Sequence, residues 1–221
     1  MDSIRRILLL AILLISSNLL SSQNEDTAKQ LLDEVSLKMG AYTNMQINFT
    51  ASLVNIEAGI NEGDEAPTKG KIILQGEKYN LEYLGNTFIF DGKKLYVINH
   101  DDKEISINES DLEEDDGFIY PSKLLTFYKE GYTYQMGKST SIKGKKVQFV
   151  ELTPIDSDSE IVKVHLVIDS KTKHIYQLIQ MGSNGAKTTL TIKTFKSNQE
   201  FSDITFQFDK VKYEKLGYLI D

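Results

Sequence analysis

A repeated pattern of strand-length segments constrains the fold of this chain more than any other feature. Between Val162 and Ile168, apolar side chains occupy every second position and the polar residues Lys163 and His165 stand between them. This alternation is typical of a strand that is buried on one face. Short connections with turn-forming pairs such as Asp91–Gly92 and Asn184–Gly185 favour antiparallel neighbours. We therefore predict one domain built on a meandering sheet of about eleven or twelve strands. The other predicted strands are Met45–Ile56, Gly70–Leu74, Lys78–Leu84, Thr87–Phe90, Leu95–Ile98, Glu104–Ile107, Tyr132–Met136, Lys146–Leu152, His174–Met181, Thr188–Phe195 and Thr205–Phe208.

Helices are few in the predicted fold. One amphipathic helix precedes the first strand, with Asn24 as its N-cap and Gly40 as its stop. Its apolar stripe cannot be buried by one helix alone and must lie against the sheet. A second helical segment is predicted to start at Pro121 and interrupt the meander, after the acidic residues 111–117. The residues of the first stripe are Ala28, Leu31, Leu32, Val35 and Met39.

The N-terminal segment has the layout of a secretory signal peptide. Arg5 and Arg6 precede an unbroken apolar run, Ile7–Ile15, and small polar residues follow before Glu25. The apolar stretch is shorter than the roughly 20 residues of a membrane-spanning helix. We expect residues 1–22 to be removed and residues 23–221 to form the exported, soluble domain.

Composition excludes several classes of function. The formal net charge of −7 disfavours nucleic acid as a partner. The absence of Cys excludes disulfides, zinc–thiolate sites and cysteine nucleophiles. His100, His165 and His174 are interpreted as solvated side chains, and the sequence has no G-x-S-x-G elbow, no H-E-x-x-H helix and no phosphate-binding glycine loop. The acidic run that begins at Asp111 lacks the spacing of a calcium loop. We expect no enzyme activity, no metal and no cofactor.

Several predicted strands carry apolar side chains on both faces. In Thr87–Phe90, for example, Phe88 and Phe90 oppose Ile89. Such a strand fits either an ordinary sandwich core or a curved sheet whose concave side holds an apolar ligand. The pattern alone leaves both interpretations open.

The order of these segments resembles one known family. A helix over residues 27–39 is followed by a strand with Phe49, by the strand Lys78–Tyr83 and by the hairpin sequence Ile89–Ile98. Pro121–Leu125 then resembles an inserted helix. Together these segments resemble the periplasmic outer-membrane lipoprotein carrier (LolA) family, with Tyr96 where the family usually has Trp.

The resemblance implies a mainly β fold, namely a single unclosed (half) β-barrel of about eleven antiparallel strands with a helical lid over a hydrophobic cavity. It implies a monomeric, non-catalytic periplasmic chaperone that takes acylated lipoproteins from an inner-membrane release complex to an outer-membrane acceptor. The alternatives are a binder of another amphiphile, such as a glycolipid or polyprenyl compound, and a regulatory protein-binding module. The expected cavity wall consists of Phe49, Leu81, Tyr83, Phe88, Phe90, Tyr96, Val164 and Leu166, and the expected lid residues are Leu31, Leu32, Val35, Leu124 and Leu125.

The chain departs from that family in its basic residues. Beyond Arg6 every basic residue is lysine. Members of the family use an arginine on an early strand to hold the lid closed, and lysine cannot reproduce its planar set of donors. The resemblance therefore implies a lid that is controlled by other residues in this chain.

Overall fold

A computed structural model describes residues 23–110 and 127–221. The helix α1 covers residues 23–40. Short 3-10 turns lie at Phe127–Lys129 and Asp203–Phe206, and the helix α2 covers Lys210–Lys215. The strands are β1 Met45–Val54, β2 Thr68–Gln75, β3 Lys78–Tyr83, β4 Asn86–Phe90, β5 Leu95–Asn99, β6 Glu104–Asn108, β7 Tyr132–Ile142, β8 Lys145–Pro154, β9 Ile161–Asp169, β10 Ile175–Gly182, β11 Lys187–Ser197 and β12 Leu219–Ile220.

The described strands form one open sheet of 12 strands, in the order β12-β6-β5-β4-β3-β2-β1-β11-β10-β9-β8-β7. Strands β1 to β6 form one antiparallel meander and β7 to β11 form another. The antiparallel pairing of β1 with β11 joins the two in the middle of the sheet. This architecture confirms the predicted mainly β, unclosed fold.

The two faces of the sheet are covered by different parts of the chain. We call the face on which α1 packs the inner face; it carries Met45, Ile47, Phe49 and Ala51 of β1, all buried in the main hydrophobic cluster. The opposite, outer face is covered over β3–β6 by the C-terminal segment 203–221. There the side chain of Tyr213 is buried against the apolar residues Ile89, Ile98 and Ile105.

The predicted strand Thr205–Phe208 is wrong. The chain instead makes the 3-10 turn Asp203–Phe206 and then α2. Phe206 is buried, and the side-chain amide of Asn80 on β3 donates to the carbonyl oxygen of Thr205 at 2.8 Å. The apolar residues that resembled a strand therefore pack their rings onto the sheet rather than extend it. The same segment supplies β12, which pairs in parallel with β6 and adds the one parallel pair among the described strands.

Of the two predicted ends of the first helix, the C-terminal one is correct and the N-terminal one is wrong. The helix ends at residue 40, where Gly40 was predicted to stop it. Asn24 is not its N-cap, because residue 23 is already helical. The Asn24 side chain instead accepts a hydrogen bond from the backbone N–H of Met136, at 2.6 Å. Most of the helical segment predicted from Pro121 lies outside the described residues.

Candidate functional site

Helix α1 closes part of the inner face with its predicted apolar stripe. Ala28, Leu32, Val35 and Met39 are at most 1% exposed, and Leu31 is partly buried against the same cluster. Each fully buried large side chain contributes about 1.5–3 kcal/mol relative to an exposed one. The helix is therefore held on the sheet mainly by apolar contact.

The predicted wall residues lie together on the inner face, with the exception of Tyr96. Val164 and Leu166 are completely buried, as expected for core positions beneath a covering element. The buried residues Phe49, Leu81 and Phe90, and the partly buried Tyr83 and Phe88, belong to the same cluster.

Tyr96 points away from the expected cavity. Its direct partner in the β4–β5 pair is Ile89, and both side chains lie on the outer face. The Tyr96 ring stacks on Phe208 of the C-terminal segment, with ring centroids 4.6 Å apart. The structure thus removes Tyr96 from the candidate wall, and the second apolar face of these strands is explained by the C-terminal cover.

A strip of partly exposed apolar side chains marks the portion of the inner face that is incompletely covered. The strip consists of Tyr83, Phe88 and Val97. Val97 lies directly opposite Phe88 in the β4–β5 pair. Burial raises the pKa of the Tyr83 hydroxyl, as expected for a phenol set in an apolar wall. Further inner-face residues that sequence reasoning missed are Leu190, Ile192 and Phe195 on β11 and Tyr132, Tyr134 and Met136 on β7.

The Phe49 ring packs over Gly70 of the neighbouring strand, a residue that has no side chain. Gly70 stands directly opposite Phe49 in the β1–β2 pair. The Phe49 ring occupies the space where a Cβ at residue 70 would stand, so that such an atom would approach two ring carbons to 2.6 and 2.8 Å. The ring also packs against Tyr83, with centroids 5.6 Å apart. The absence of a side chain at Gly70 therefore sets the position of this aromatic pair in the candidate wall.

Tyrosines tie α1 to the β7 side of the molecule. The buried Tyr128 hydroxyl donates to the carbonyl oxygen of Leu32 at 3.0 Å. The Tyr134 hydroxyl in turn donates to the carbonyl oxygen of Tyr128. Burial raises the pKa of both phenols, so both stay protonated donors at neutral pH. Uncharged tyrosine hydroxyls thus make polar contacts to α1 in a chain that has no arginine beyond Arg6.

The C-terminal end of α1 is fixed by a second polar and aromatic group. The Tyr42 hydroxyl lies 2.9 Å from Nε2 of His174, whose ring packs on Phe195 with centroids 4.2 Å apart. Burial lowers the pKa of His174, which favours the neutral imidazole. Lys173 pairs with Glu34 of the helix at 2.8 Å.

The predicted lid residues have different outcomes. Leu31, Leu32 and Val35 lie on the face of α1 that packs on the sheet. Leu124 and Leu125 lie outside the described residues. Movement of α1 as a lid stays a prediction.

The interpretation of the histidines as solvated is correct for His100, which is exposed, whereas His165 and His174 are partly buried. His174 is packed as described above. His100 bridges the Thr87 and Tyr218 hydroxyls at 2.8 and 2.9 Å, and Nε2 of His165 lies 2.9 Å from Glu151. Each of these rings therefore has a local structural role. Within residues 23–110 and 127–221, no group of His, Cys, Asp and Glu side chains is arranged to hold a metal ion.

None of the helices in the part of the chain that the structure describes has the length and apolar character needed to cross a membrane.

Comparison with known proteins identifies the family. The model of the family described as outer membrane lipoprotein carrier protein LolA matches residues 67–209. No curated protein matches the chain significantly in sequence.

Several solved structures are similar to this chain at low sequence identity. A DUF1329 family protein from Desulfovibrio piger has a TM-score of 0.50 and 9% identity, over 83% of this chain and 97% of that one. LprF from Mycobacterium bovis has a TM-score of 0.49 and 11% identity, over 80% and 95%. A LolA superfamily protein from Nitrosomonas europaea has a TM-score of 0.45 and 13% identity, over 82% and 97%. Because the family model matches well over half of the chain, the protein belongs to the outer membrane lipoprotein carrier LolA family, as a divergent member.

Proposed function

We propose that this protein is a periplasmic chaperone that binds the acyl chains of lipoproteins on the inner face of its sheet. In this role it carries them from the inner to the outer membrane. The observation that supports the proposal most is the set of partly exposed apolar and aromatic side chains on the inner face, namely the strip Tyr83, Phe88 and Val97 together with Leu190 and Ile192 of β11. Membership of the family supports the same role.

The energetics of acyl chains suit such a strip. Burial of an acyl chain contributes about 0.8 kcal/mol per CH₂ group, so a partly enclosed chain binds by many kcal/mol. Tyr83 and Phe88 supply large apolar area, and the tyrosine adds a polar tip. Binding of this kind requires shape and apolar surface rather than catalytic groups.

Release of the bound acyl chain requires that α1 can move away from the sheet. The contacts that the helix makes through Tyr128, Asn24 and Glu34 are hydrogen bonds and one surface ion pair. Such contacts contribute only about 0.5–1.5 kcal/mol each. A ligand shifts such a helix only by its different affinity for the open and closed states. The polar contacts therefore add only a small part of the cost of opening. The larger part is the exposure of the apolar stripe of α1, which a bound acyl chain would offset by covering it.

The proposal includes partners and location. The protein would be exported after removal of residues 1–22 and would work as a soluble monomer. It would receive its cargo from an inner-membrane release complex and deliver it to an outer-membrane acceptor. No cofactor, metal or catalytic step is needed for this role.

The test is native mass spectrometry of protein purified from the periplasm, with Phe88→Glu as the principal variant. We expect wild-type protein to retain triacylated peptides and the variant to lose them, because a buried carboxylate is incompatible with an acyl chain. Ile204→Glu is the matched control: Ile204 is 72% exposed and lies in the C-terminal segment that covers the outer face, so cargo should be unchanged.

Other outcomes would contradict the proposal in distinct ways. Retained glycolipid or polyprenyl compound, without acylated peptide, would identify a binder of another amphiphile. A protein partner retained without lipid would favour a regulatory module. Thermal unfolding followed by circular dichroism tests whether the Phe88→Glu variant remains folded. If it does not, Phe88→Asn repeats the comparison with a smaller perturbation.

A further inference from the structure

The outer face of the central strands is basic in an acidic protein. Strands β1, β2 and β11 are neighbours in the sheet and contain no carboxylate side chain. They nevertheless carry several lysines in a chain whose net charge is −7. These residues are Lys69 and Lys71 on β2 and Lys187, Lys193 and Lys196 on β11.

The strand register places these lysines on one face. Lys69 and Lys71 pair with Thr50 and Asn48 of β1, whose side chains alternate with the buried inner-face residues. Lys193 occupies the irregularity in β11 where the register against β1 shifts beside Asn48. Because β1 lies between β2 and β11, two lysine-bearing strands about 10 Å apart flank a strip of uncharged polar side chains.

These side chains line a groove of about 800 Å³ on this face. Lys69, Lys71 and Lys193 contribute the basic groups, and Glu82 contributes the single carboxylate of the lining. Glu82 pairs with Lys71 at 3.2 Å, while Lys69 and Lys193 have no ion pair within the described residues. The groove therefore presents an excess of positive charge beside hydroxyl and amide donors.

We propose that this groove binds an extended acidic segment of a partner polypeptide. The charge is complementary to carboxylates, and the lysines on either side of β1 are close enough to act together at low ionic strength, where the screening length is about 10 Å or more. The groove is also bounded by the turn at Leu84 and Gly85 and by His100. A concave, walled surface of this kind fits an extended peptide better than a flat bilayer.

The groove and the candidate lipid site lie on opposite faces of the same strands. Phe49, Gly70 and Tyr83 of the candidate wall also border the groove, but its lysine side chains lie on the outer face, where a bound peptide would leave Phe88 and Val97 of the acyl-binding strip accessible. The proposal does not depend on the proposed function. Its test uses no lipid cargo, and the failure of either proposal leaves the other standing.

The experiment measures fluorescence anisotropy with a labelled dodecapeptide of alternating Glu and Ser residues. A peptide of alternating Gln and Ser serves as the uncharged control. We expect the acidic peptide to bind at about 50 mM salt and to lose at least fivefold in affinity at about 300 mM, where charges are strongly screened. The Lys69→Glu/Lys193→Glu variant should bind at least tenfold more weakly.

The matched control is Lys143→Glu/Lys146→Glu. It makes the same change of charge on two exposed lysines of the β7–β8 hairpin, at the far edge of the sheet. We expect its affinity to stay within twofold of wild type. Lys69→Gln/Lys193→Gln, which only removes charge, should give an intermediate affinity and covers the case that the reversal disturbs folding.

Three results would overturn the proposal. The first is that the acidic peptide does not bind wild-type protein. The second is that it binds Lys69→Glu/Lys193→Glu and Lys143→Glu/Lys146→Glu with equal affinity. Binding to vesicles of one part phosphatidylglycerol to two parts phosphatidylcholine, lost in Lys69→Glu/Lys193→Glu and accompanied by no peptide binding, would identify a membrane surface instead.

Discussion

Replacement of Gly70 by alanine tests the packing of the candidate wall most directly. Gly70 has no left-handed backbone conformation, so alanine is compatible with its strand geometry. The new Cβ would nevertheless collide with the Phe49 ring. The ring must then leave its place beside Tyr83 or push β1 away from β2. We expect Gly70→Ala to destabilise the protein although alanine normally favours a strand over glycine.

The magnitude follows from two opposing effects. Overpacking a well-packed site costs about 1–3 kcal/mol. In the Phe49→Ala background the obstacle is gone, and Gly70→Ala should instead stabilise by about 0.5–1 kcal/mol through reduced backbone entropy of the unfolded chain. The two substitutions should therefore be coupled by about 1.5–4 kcal/mol. For a domain of this size, 1–3 kcal/mol corresponds to a fall in Tm on the order of 2–12 °C.

The assay is a double-mutant cycle measured by urea unfolding. Gly40→Ala is the control, because a Cβ at Gly40 would meet no other atom within 4 Å. It should leave stability unchanged or raise it by up to about 1 kcal/mol. Gly70→Ala with wild-type stability would refute the reasoning, as would free energies of unfolding that simply add in the double variant.

Further predictions concern the attachment of α1. Leu32→Ala should cost about 2–5 kcal/mol in urea unfolding, because Leu32 is fully buried, whereas Leu37→Ala, at a side chain 76% exposed, should stay within about 0.5 kcal/mol; equal effects would contradict the described face of the helix. Tyr128→Phe should cost about 1 kcal/mol and speed hydrogen exchange in α1, since it removes the hydroxyl bond to Leu32, and unchanged exchange would argue against this contact as a tie. Because burial lowers the pKa of His174 below its ordinary 6.5, the unfolded chain binds more protons and stability should fall as pH drops below about 6.5; Tm measured between pH 7.5 and 5 should fall less in His174→Gln, and an equal slope in both proteins would exclude His174 as the cause.

The strand pattern was readable from the sequence because burial on one face dictates the period. Val164 and Leu166 lie where the alternation placed them, with His165 on the other side of β9. The helical stripe of α1 was equally clear, since Leu32 and Val35 recur at the helical period and both are buried. In each case one apolar face has one partner, so a local pattern is sufficient.

Long-range partners decided the features that the sequence did not predict. Strand β5 has Tyr96 on one side and Val97 on the other, and alternation alone cannot tell which faces α1. The answer depends on the C-terminal segment, whose Phe208 covers the Tyr96 side. Phe208 is more than a hundred positions from Tyr96 in sequence, so the local pattern of β5 could not show which of its faces is turned toward α1. The same segment was mistaken for a strand because the apolar side chains that cover a sheet face resemble those within one.

The pairing of β1 with β11 has a consequence for how the chain acquires its structure. Met45 faces Ser197 across the central pair, so the first and last long strands must meet before the two meanders become one sheet. Each meander contains mainly local contacts and can form early, whereas this pair joins residues that lie more than 130 positions apart, such as Met45 and Ser197. Such distant contacts slow folding because the entropy of loop closure is lost before they form. The pairing of β1 with β11 is thus the folding step that cannot take place until the C-terminal half of the chain, through β11, is available.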